Sequence, residues 1–464
     1  MNELTINLIG NTKIPMYEQI YKYIKAEIQS GKIISGEKLP SIRLLCRHLE
    51  ISRSTVELAY EQLQSEGYVE VLPRKGFYAA QVEGLYHLDV PSEETGEDSK
   101  SEAEIFRYNF TPNGVDLRSF PYSVWRKLSK DVLLDDRTEL FRLGDPKGEA
   151  ALRQAIGIYL HQARGVNCRP EQIIVGAGSD YMLLLLNAII GTSHPIAFEN
   201  PSYRRAYRIF KQLGYETYTV DMDRKGMDVE KLKTLPASLA YVMPSHQYPL
   251  GVIMPIDRRM ELLAWARERS ERYIIEDDYD SEFRYKGKPI PALQGYDESE
   301  KVIYLGTFSK SIAPAIRISY MVLPNSLLQV FRQSESVLSS TVSKVDQMIL
   351  KNFLKEGYYE RHLNKMRALY KNRHDVLIRS LRPLMNRCRV TGEQAGVHLL
   401  LTFTDGRTED ELIAEAKKHS IKVYGLSEYY VEQEERKEAT ILLGYANMEE
   451  NDIIEAASIL NKIW

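Results

Sequence analysis

Cysteine is scarce in this chain: Cys46, Cys168 and Cys388 are the three among 464 residues, with no CxxC pair and no metal-ligand spacing. That excludes a disulfide scaffold and points to a reducing, cytosolic setting. The opening MNELTINLIG lacks a basic leader followed by a long apolar stretch, so no signal peptide is expected. Apolar runs are short and interrupted, as at residues 182–190, and none would span a bilayer. Charge of one sign is also lacking, since 61 Lys and Arg stand against 64 Asp and Glu, a net of −3. Any nucleic-acid or membrane surface would therefore be a local patch. No repeat at a solenoid period is visible. What is present is an ordinary globular composition, 44% hydrophobic and 27% charged, on a chain long enough for two or three domains.

Residues 15–80 read as a self-contained unit. Met16, Ile20, Tyr23, Ile24 and Ile28 recur at helical spacing before a stop at Gly31. Ser41 can cap a second helix with Leu44, Leu45 and Leu49 on its inner face. Ser52 can cap a third, residues 53–66, whose Val56, Ala59, Tyr60 and Leu63 form one apolar stripe ended by Gly67. Residues 68–71 and 77–80 then read as two strands joined by a basic tip, Leu72-Pro73-Arg74-Lys75-Gly76. Three helices and a basic-tipped hairpin make the winged helix-turn-helix plan, in which the third helix presents its first residues to the major groove. Those residues are Ser52, Arg53, Ser54 and Thr55, short hydroxyls for phosphates and an arginine suited to guanine. Arg43, Arg74 and Lys75 could add backbone contacts. The unit is nearly charge-balanced, so a small helical interaction module is the competing reading, and the order of elements decides against it.

The strings Gly36-Glu37-Lys38-Leu39-Pro40-Ser41-Ile42-Arg43, Ser52-Arg53-Ser54-Thr55-Val56, Leu63-Gln64-Ser65-Glu66-Gly67-Tyr68 and Arg74-Lys75-Gly76-Phe77 resemble the DNA-binding domain of the GntR family of bacterial regulators. The resemblance implies that Arg43, Arg53 and the wing around Lys75 and Gly76 touch a double-stranded DNA operator. Residues 81–106 change character, with eight acids against Lys100 alone and few apolar residues to bury; a flexible acidic linker is expected.

From residue 107 to 464, short β-rich runs alternate with helical segments, which argues for an α/β domain with a mostly parallel central sheet. One stretch organises it, VIYLGTFSKSIAPAIRISYMVLP at residues 302–324. A buried-strand run breaks at Gly306 into a hydroxyl-rich turn holding Ser309 and Lys310, with Arg317 seven residues on. Alone, Lys310 reads as a solvated loop residue; between two apolar runs its ammonium would be poorly hydrated, and a neutral amine can condense with a carbonyl group. Four further strands also end in useful groups: Gly178 and Ser179, Tyr203, His246 and Gln247, and Asp277 with Tyr279. Ligands of open α/β sheets bind outside the carboxyl ends of the strands. A lysine for an aldehyde, an acid for a pyridinium nitrogen, a ring to stack on and a phosphate cradle are the parts of a pyridoxal 5'-phosphate (PLP) site. Unrelated caps and loops would not supply all of them in one chain.

RGVNCRPEQIIVGAGS, ENPSYRRAY, MPSHQYPLG and IIEDDYDSEFRY, together with residues 302–324, are similar to fold-type I, aspartate-aminotransferase-like enzymes. Joined to the winged helix, the whole resembles the MocR/GabR subfamily of GntR regulators. The resemblance implies that Lys310 carries the cofactor as a Schiff base, Asp277 holds the pyridinium proton and Tyr279 bonds the phenolic oxygen. It gives phosphate to Gly178, Ser179, Ser309 and Arg317, the ring face to Tyr203, and the neighbourhood of the phenolic oxygen to His246 and Gln247. It also implies a homodimer and a cytoplasmic, bacterial setting. One departure stands out. Where such enzymes clamp a substrate carboxylate with arginine, before a G/S-[FY]-A string, this chain reads Leu442-Leu443-Gly444-Tyr445-Ala446. Glu428 would attract an amine, and Arg205 could hold an acid from the other side. The reading is a PLP-dependent transcriptional regulator sensing a small amine, an amino acid or PLP itself. A working aminotransferase with an appended DNA-binding module, and a degenerate domain kept for dimerisation, are the alternatives.

Overall fold

Helix caps shape the N-terminal part of the molecule. The computed structural model describes residues 6, 14–81, 106–134, 138–285, 290–334, 338–393, 395–431 and 438–464. They fall into two units, Met1–Ala103 and Glu104–Trp464. The expected acidic linker at 81–106 lies, apart from its two ends, outside the described residues.

The first unit holds helices α1 (Met16–Gln29), α2 (Ile42–Leu49) and α3 (Arg53–Ser65), then strands β1 (Val69–Leu72) and β2 (Gly76–Ala79). Ser41 and Ser52 accept the Leu44 and Thr55 amides at 3.2 and 3.3 Å, so each hydroxyl satisfies a helix-end donor that would otherwise be unpaired. Glu50, in the left-handed region at φ 53°, ends α2 just before the next cap. Ile20, Ile24 and Ile28 of α1 meet Leu45, Val56, Ala59, Tyr60 and Leu63 in one core. Leu44, expected inside, is exposed; it sits about 100° around the helix from Leu45, and the i, i+4 pair Leu45 and Leu49 faces inward instead. Met16 is likewise exposed at the first position of α1.

In the second unit, β3 (Tyr108–Asn109) and helices α4 (Tyr122–Leu133) and α5 (Ala150–Arg164) precede the main sheet. That sheet takes in β4 (Ile173–Gly176), β5 (Ile196–Asn200), β6 (Thr217–Asp223), β7 (Gly226–Met227), β8 (Leu239–Val242), β9 (Tyr273–Asp278), β10 (Val302–Thr307) and β11 (Ser319–Val322). Its order is β4-β11-β10-β9-β8-β5-β6-β7. The run from β10 through β9, β8 and β5 to β6 is parallel, while β11 and β7 are antiparallel to their neighbours. Strands β4, β5, β8, β10 and β11 are buried along their whole length, which is why they read as unbroken apolar runs rather than as alternation. Helices α6 (Ser179–Ile190) and α7 (Arg204–Gln212) follow β4 and β5. A separate antiparallel sheet, in the order β12-β13-β16-β15, is built from β12 (Cys388–Thr391), β13 (His398–Phe403), β15 (Tyr424–Gly425) and β16 (Ala439–Gly444). Strand β14 (Ile421–Lys422) pairs with β3 in parallel. No described helix is long and apolar enough to cross a membrane.

Candidate functional site

The parallel strands place their carboxyl ends side by side, and a cavity of about 150 Å³ opens there, lined by residues that follow β4, β5, β8, β9 and β10. Lys310 and Asp277 both line it. Lys310 lies three residues beyond β10, between the buried side chains of Phe308 and Ile312. Its buried Nζ has no hydrogen-bond partner among the described residues. Burial lowers its pKa from 10.5 to about 8, against a smaller opposing effect of the Asp280 charge.

The acidic string on β9 sorts by strand alternation. Asp277 and, just past the strand end, Tyr279 face the cavity. Glu276 instead accepts the Leu293 and Gln294 amides at 2.8 Å each, and Asp278 pairs with the buried Arg164 at 2.8 Å. The Asp277 carboxylate accepts from the Tyr241 hydroxyl. Burial pushes its pKa up to about 6, Tyr241 opposes the shift, and the charges of Asp278 and Asp280 add to it. Tyr279 Oη lies 3.0 Å from His246 Nδ1, which is also 3.0 Å from both carboxylate oxygens of Asp280. Tyr203, at the start of α7, adds a second ring to the wall, its hydroxyl pushed up to about 12 by burial and by Asp277.

The other end of the cavity suits an anion. Gly178 precedes α6 at φ +90°, and a Cβ there would stand 2.6 Å from the Arg317 guanidinium. Only glycine allows both that backbone and that arginine. A bare backbone turn at a helix N-terminus offers unpaired N–H groups. Hydroxyls of Ser179, Thr307 and Ser309 line the same end. Ser319 behind them donates to Thr307 at 2.9 Å and its Oγ lies 3.5 Å from Ser179 Oγ, and the buried Ser309 Oγ has no partner among the described residues. Arg317 donates to Asp180 at 3.2 Å and Arg205 donates to the same oxygen at 2.6 Å. A buried lysine amine, a buried carboxyl, a buried serine hydroxyl and a glycine-bared arginine at one cavity are chemically suited to a molecule with an aldehyde, a ring nitrogen and a phosphate, as PLP has.

Not every expected residue reaches the cavity. His246 and Gln247 do not line it; Tyr248 does. Gln247 points away, donating to the Pro201 carbonyl at 2.9 Å and accepting the Leu250 amide at 3.0 Å, so it braces the loop. His246 stands behind Tyr279. Glu428 is exposed in the 3-10 turn Leu426–Tyr429, and its backbone carbonyl, rather than its carboxylate, accepts from Arg204 at 2.7 Å. Asn113, Asp180, Met243, Tyr248 and Thr307 line the cavity and were not singled out from sequence. For Asp180 and Thr307, adjacency to Ser179 and to the turn at Phe308 was the available signal.

In the first unit, Arg43, Arg53, Ser54, Arg74 and Lys75 are exposed. Arg53 reaches into solvent and pairs with Glu57 at 2.7 Å. Ser52 is exposed but its hydroxyl is committed to the cap, within 2.7 Å of Thr55 Oγ1. Arg74, at φ 65°, forms the wing turn before Gly76, at φ 108°.

Residues 16–79 match bacterial regulatory proteins, gntR family, and residues 112–460 match aminotransferase class I and II. The chain is 41% identical over 463 residues to the uncharacterized HTH-type transcriptional regulator YdeL of Bacillus subtilis, covering 100% of this chain and 99% of that one. It is 31% identical to the probable rhizopine catabolism regulatory protein MocR of Rhizobium meliloti, over 97% of this chain and 94% of that one. Among solved structures, the multiple substrate aminotransferase of Thermococcus profundus superposes with a TM-score of 0.69 at 26% identity, covering 78% of this chain and 91% of that one. With a gntR-type DNA-binding head, an aminotransferase-type body and full-length relatives that share both, the chain belongs to the MocR/GabR subfamily of HTH-type transcriptional regulators, and its cofactor is pyridoxal phosphate.

Proposed function

We propose that this regulator senses a small primary amine, an amino acid or PLP itself in the cavity at Lys310, and that occupancy changes how the chain, as a homodimer, binds its operator. The observation that carries the proposal is one cavity lined by both an unpartnered lysine amine and a buried carboxyl. When bound, PLP supplies an aldehyde that condenses with primary amines and a ring that draws electrons from the attached carbon. Lys310, kept partly neutral by burial, would hold the aldehyde, and Asp277 would keep a proton on the ring nitrogen. Tyr279 would bond the phenolic oxygen, and Tyr203 would cover one ring face. Gly178, Ser179, Ser309 and Arg317 would hold the phosphate. In the first unit, Arg53 and Arg43 would read or anchor the major groove, with Arg74 and Lys75 on the backbone.

A ligand shifts DNA binding only by favouring one arrangement of the chain, and ~1–3 kcal/mol is typical of such coupling. Sustained aminotransferase turnover is the weaker reading. Leu442 packs with Leu400, Leu426 and Tyr430, and Leu443 lies in the core behind the small sheet, so neither offers a carboxylate clamp. The test is to add PLP to the purified chain, reduce with borohydride and map the modified peptide. Operator binding is then compared with and without cofactor and amines. Label at Lys310 and an operator affinity that responds to ligand are expected; label elsewhere, or no label, sinks the proposal.

A further inference from the structure

Resting on that reading of the site, the charges around the cavity can be counted. Arg205 and Arg317 share one carboxylate, Asp180 Oδ2, at 2.6 and 3.2 Å. Two guanidiniums and one carboxylate leave a single positive charge at this end, and the lining's other acid and base, Asp277 and Lys310, carry opposite charges that offset each other. A phosphate monoester carries about −1.5 to −2 at neutral pH, so loading the cofactor turns the cluster net negative. Among the described residues, Lys310 is the one further cation of the lining. Leu442 lies outside the lining, in an apolar cluster with Leu400, Leu426 and Tyr430, against which Leu250 and Tyr429 also pack. Tyr429 in turn hydrogen-bonds Tyr248 of the cavity wall at 3.0 Å. Tyr203, Met243 and Tyr248 make that wall largely aromatic and apolar.

We infer that the site selects a primary amine with an apolar body and no carboxylate, and that the pairing of Asp180 with Arg205 sets that choice. An incoming ammonium approaches a net negative cluster. An incoming carboxylate must take Arg205 from Asp180, exchanging one ion pair for another, or lie unpaired against the tyrosines and methionine of the wall. The apolar body of the amine gains from the aromatic wall in either case.

The experiment uses the full-length, PLP-loaded protein and matched pairs that differ only by the carboxylate: 2-phenylethylamine with L-phenylalanine, and 3-methylbutylamine with L-leucine. Titration is followed by cofactor absorbance and by thermal shift. Each amine is expected to reach its midpoint at a concentration at least about tenfold lower than its amino acid, the scale of one unpaired charge near a protein surface. Asp180→Asn, at a partly exposed position that should not disturb folding, is expected to narrow that ratio by about tenfold. In the cofactor-free chain, the same substitution should tighten inorganic phosphate binding measured by calorimetry, since it removes the rival for both guanidiniums. Amino acids binding as well as their amines would overturn the inference while leaving the PLP reading intact. An unchanged ratio in Asp180→Asn removes Asp180 from it. Absence of any cofactor band overturns the site reading itself, and the inference with it.

Discussion

Replacing Lys310 by Met should stabilise the cofactor-free protein at neutral pH, which is unusual for removing a functional residue. In the folded chain the Lys310 amine titrates near pH 8, against 10.5 when unfolded. Between those values the unfolded chain binds more protons, so the lysine's contribution rises with pH. The sign is therefore destabilising: the full penalty is present below pH 8, shrinks between 8 and 10.5, and vanishes above. A gap of that size corresponds to about 3 kcal/mol. Because the residue as a whole keeps partial exposure, solvent reduces this to about 1–3 kcal/mol. Methionine keeps the volume and removes the charge. Parallel urea melts of wild type and Lys310→Met at pH 7 and pH 10.5 isolate the effect, since the many other titrating groups cancel in the difference. The variant should be more stable by that amount at pH 7 and equal to wild type at pH 10.5. A difference that is destabilising, or independent of pH, would refute a desolvated lysine and with it the physical basis for its reactivity.

Asp277→Asn should weaken PLP binding by about 10- to 100-fold, the ~1.5–3 kcal/mol of a charged hydrogen bond, as read by absorbance titration. With its carboxyl pushed up to about 6, wild-type affinity should also fall as pH drops through that value, and the Asn variant should show no such step. Arg53→Ala should cost ~1–3 kcal/mol of operator discrimination while nonspecific DNA binding changes less; competition binding at fixed salt gives the ratio. Leu63→Ala, fully buried among the three N-terminal helices, should destabilise the first unit by ~2–5 kcal/mol, visible as earlier loss of DNA binding on heating.

Much of this arrangement was legible because strand ends and strand alternation are local properties. Asp277 lies near the end of a buried strand, and Tyr279, Tyr203 and Lys310 lie within three residues after one, so their convergence needed only a parallel sheet. Both serine caps in the first unit were readable for the same reason. What sequence concealed depends on contacts between distant segments. The partnership of Asp180 with Arg205 and Arg317 spans 137 residues. The preference for Tyr248 over His246 and Gln247 at the wall is decided by how the loop after β8 folds back, with the Gln247 amide spent on Pro201 and Leu250. Leu44 misled because a run of two leucines gives helical phase to within one residue only.

Strand β9 carries acids with two kinds of job on opposite faces: Asp277 toward the cavity, Glu276 and Asp278 toward backbone amides and Arg164. Since strand faces alternate at every residue, inserting or deleting a single amino acid upstream in β9 would exchange the two sets. A scaffold carboxylate would then enter the pocket while Arg164 lost its counterion. Indels in this short string should therefore abolish sensing and stability together, whereas point changes at 277 spare the architecture.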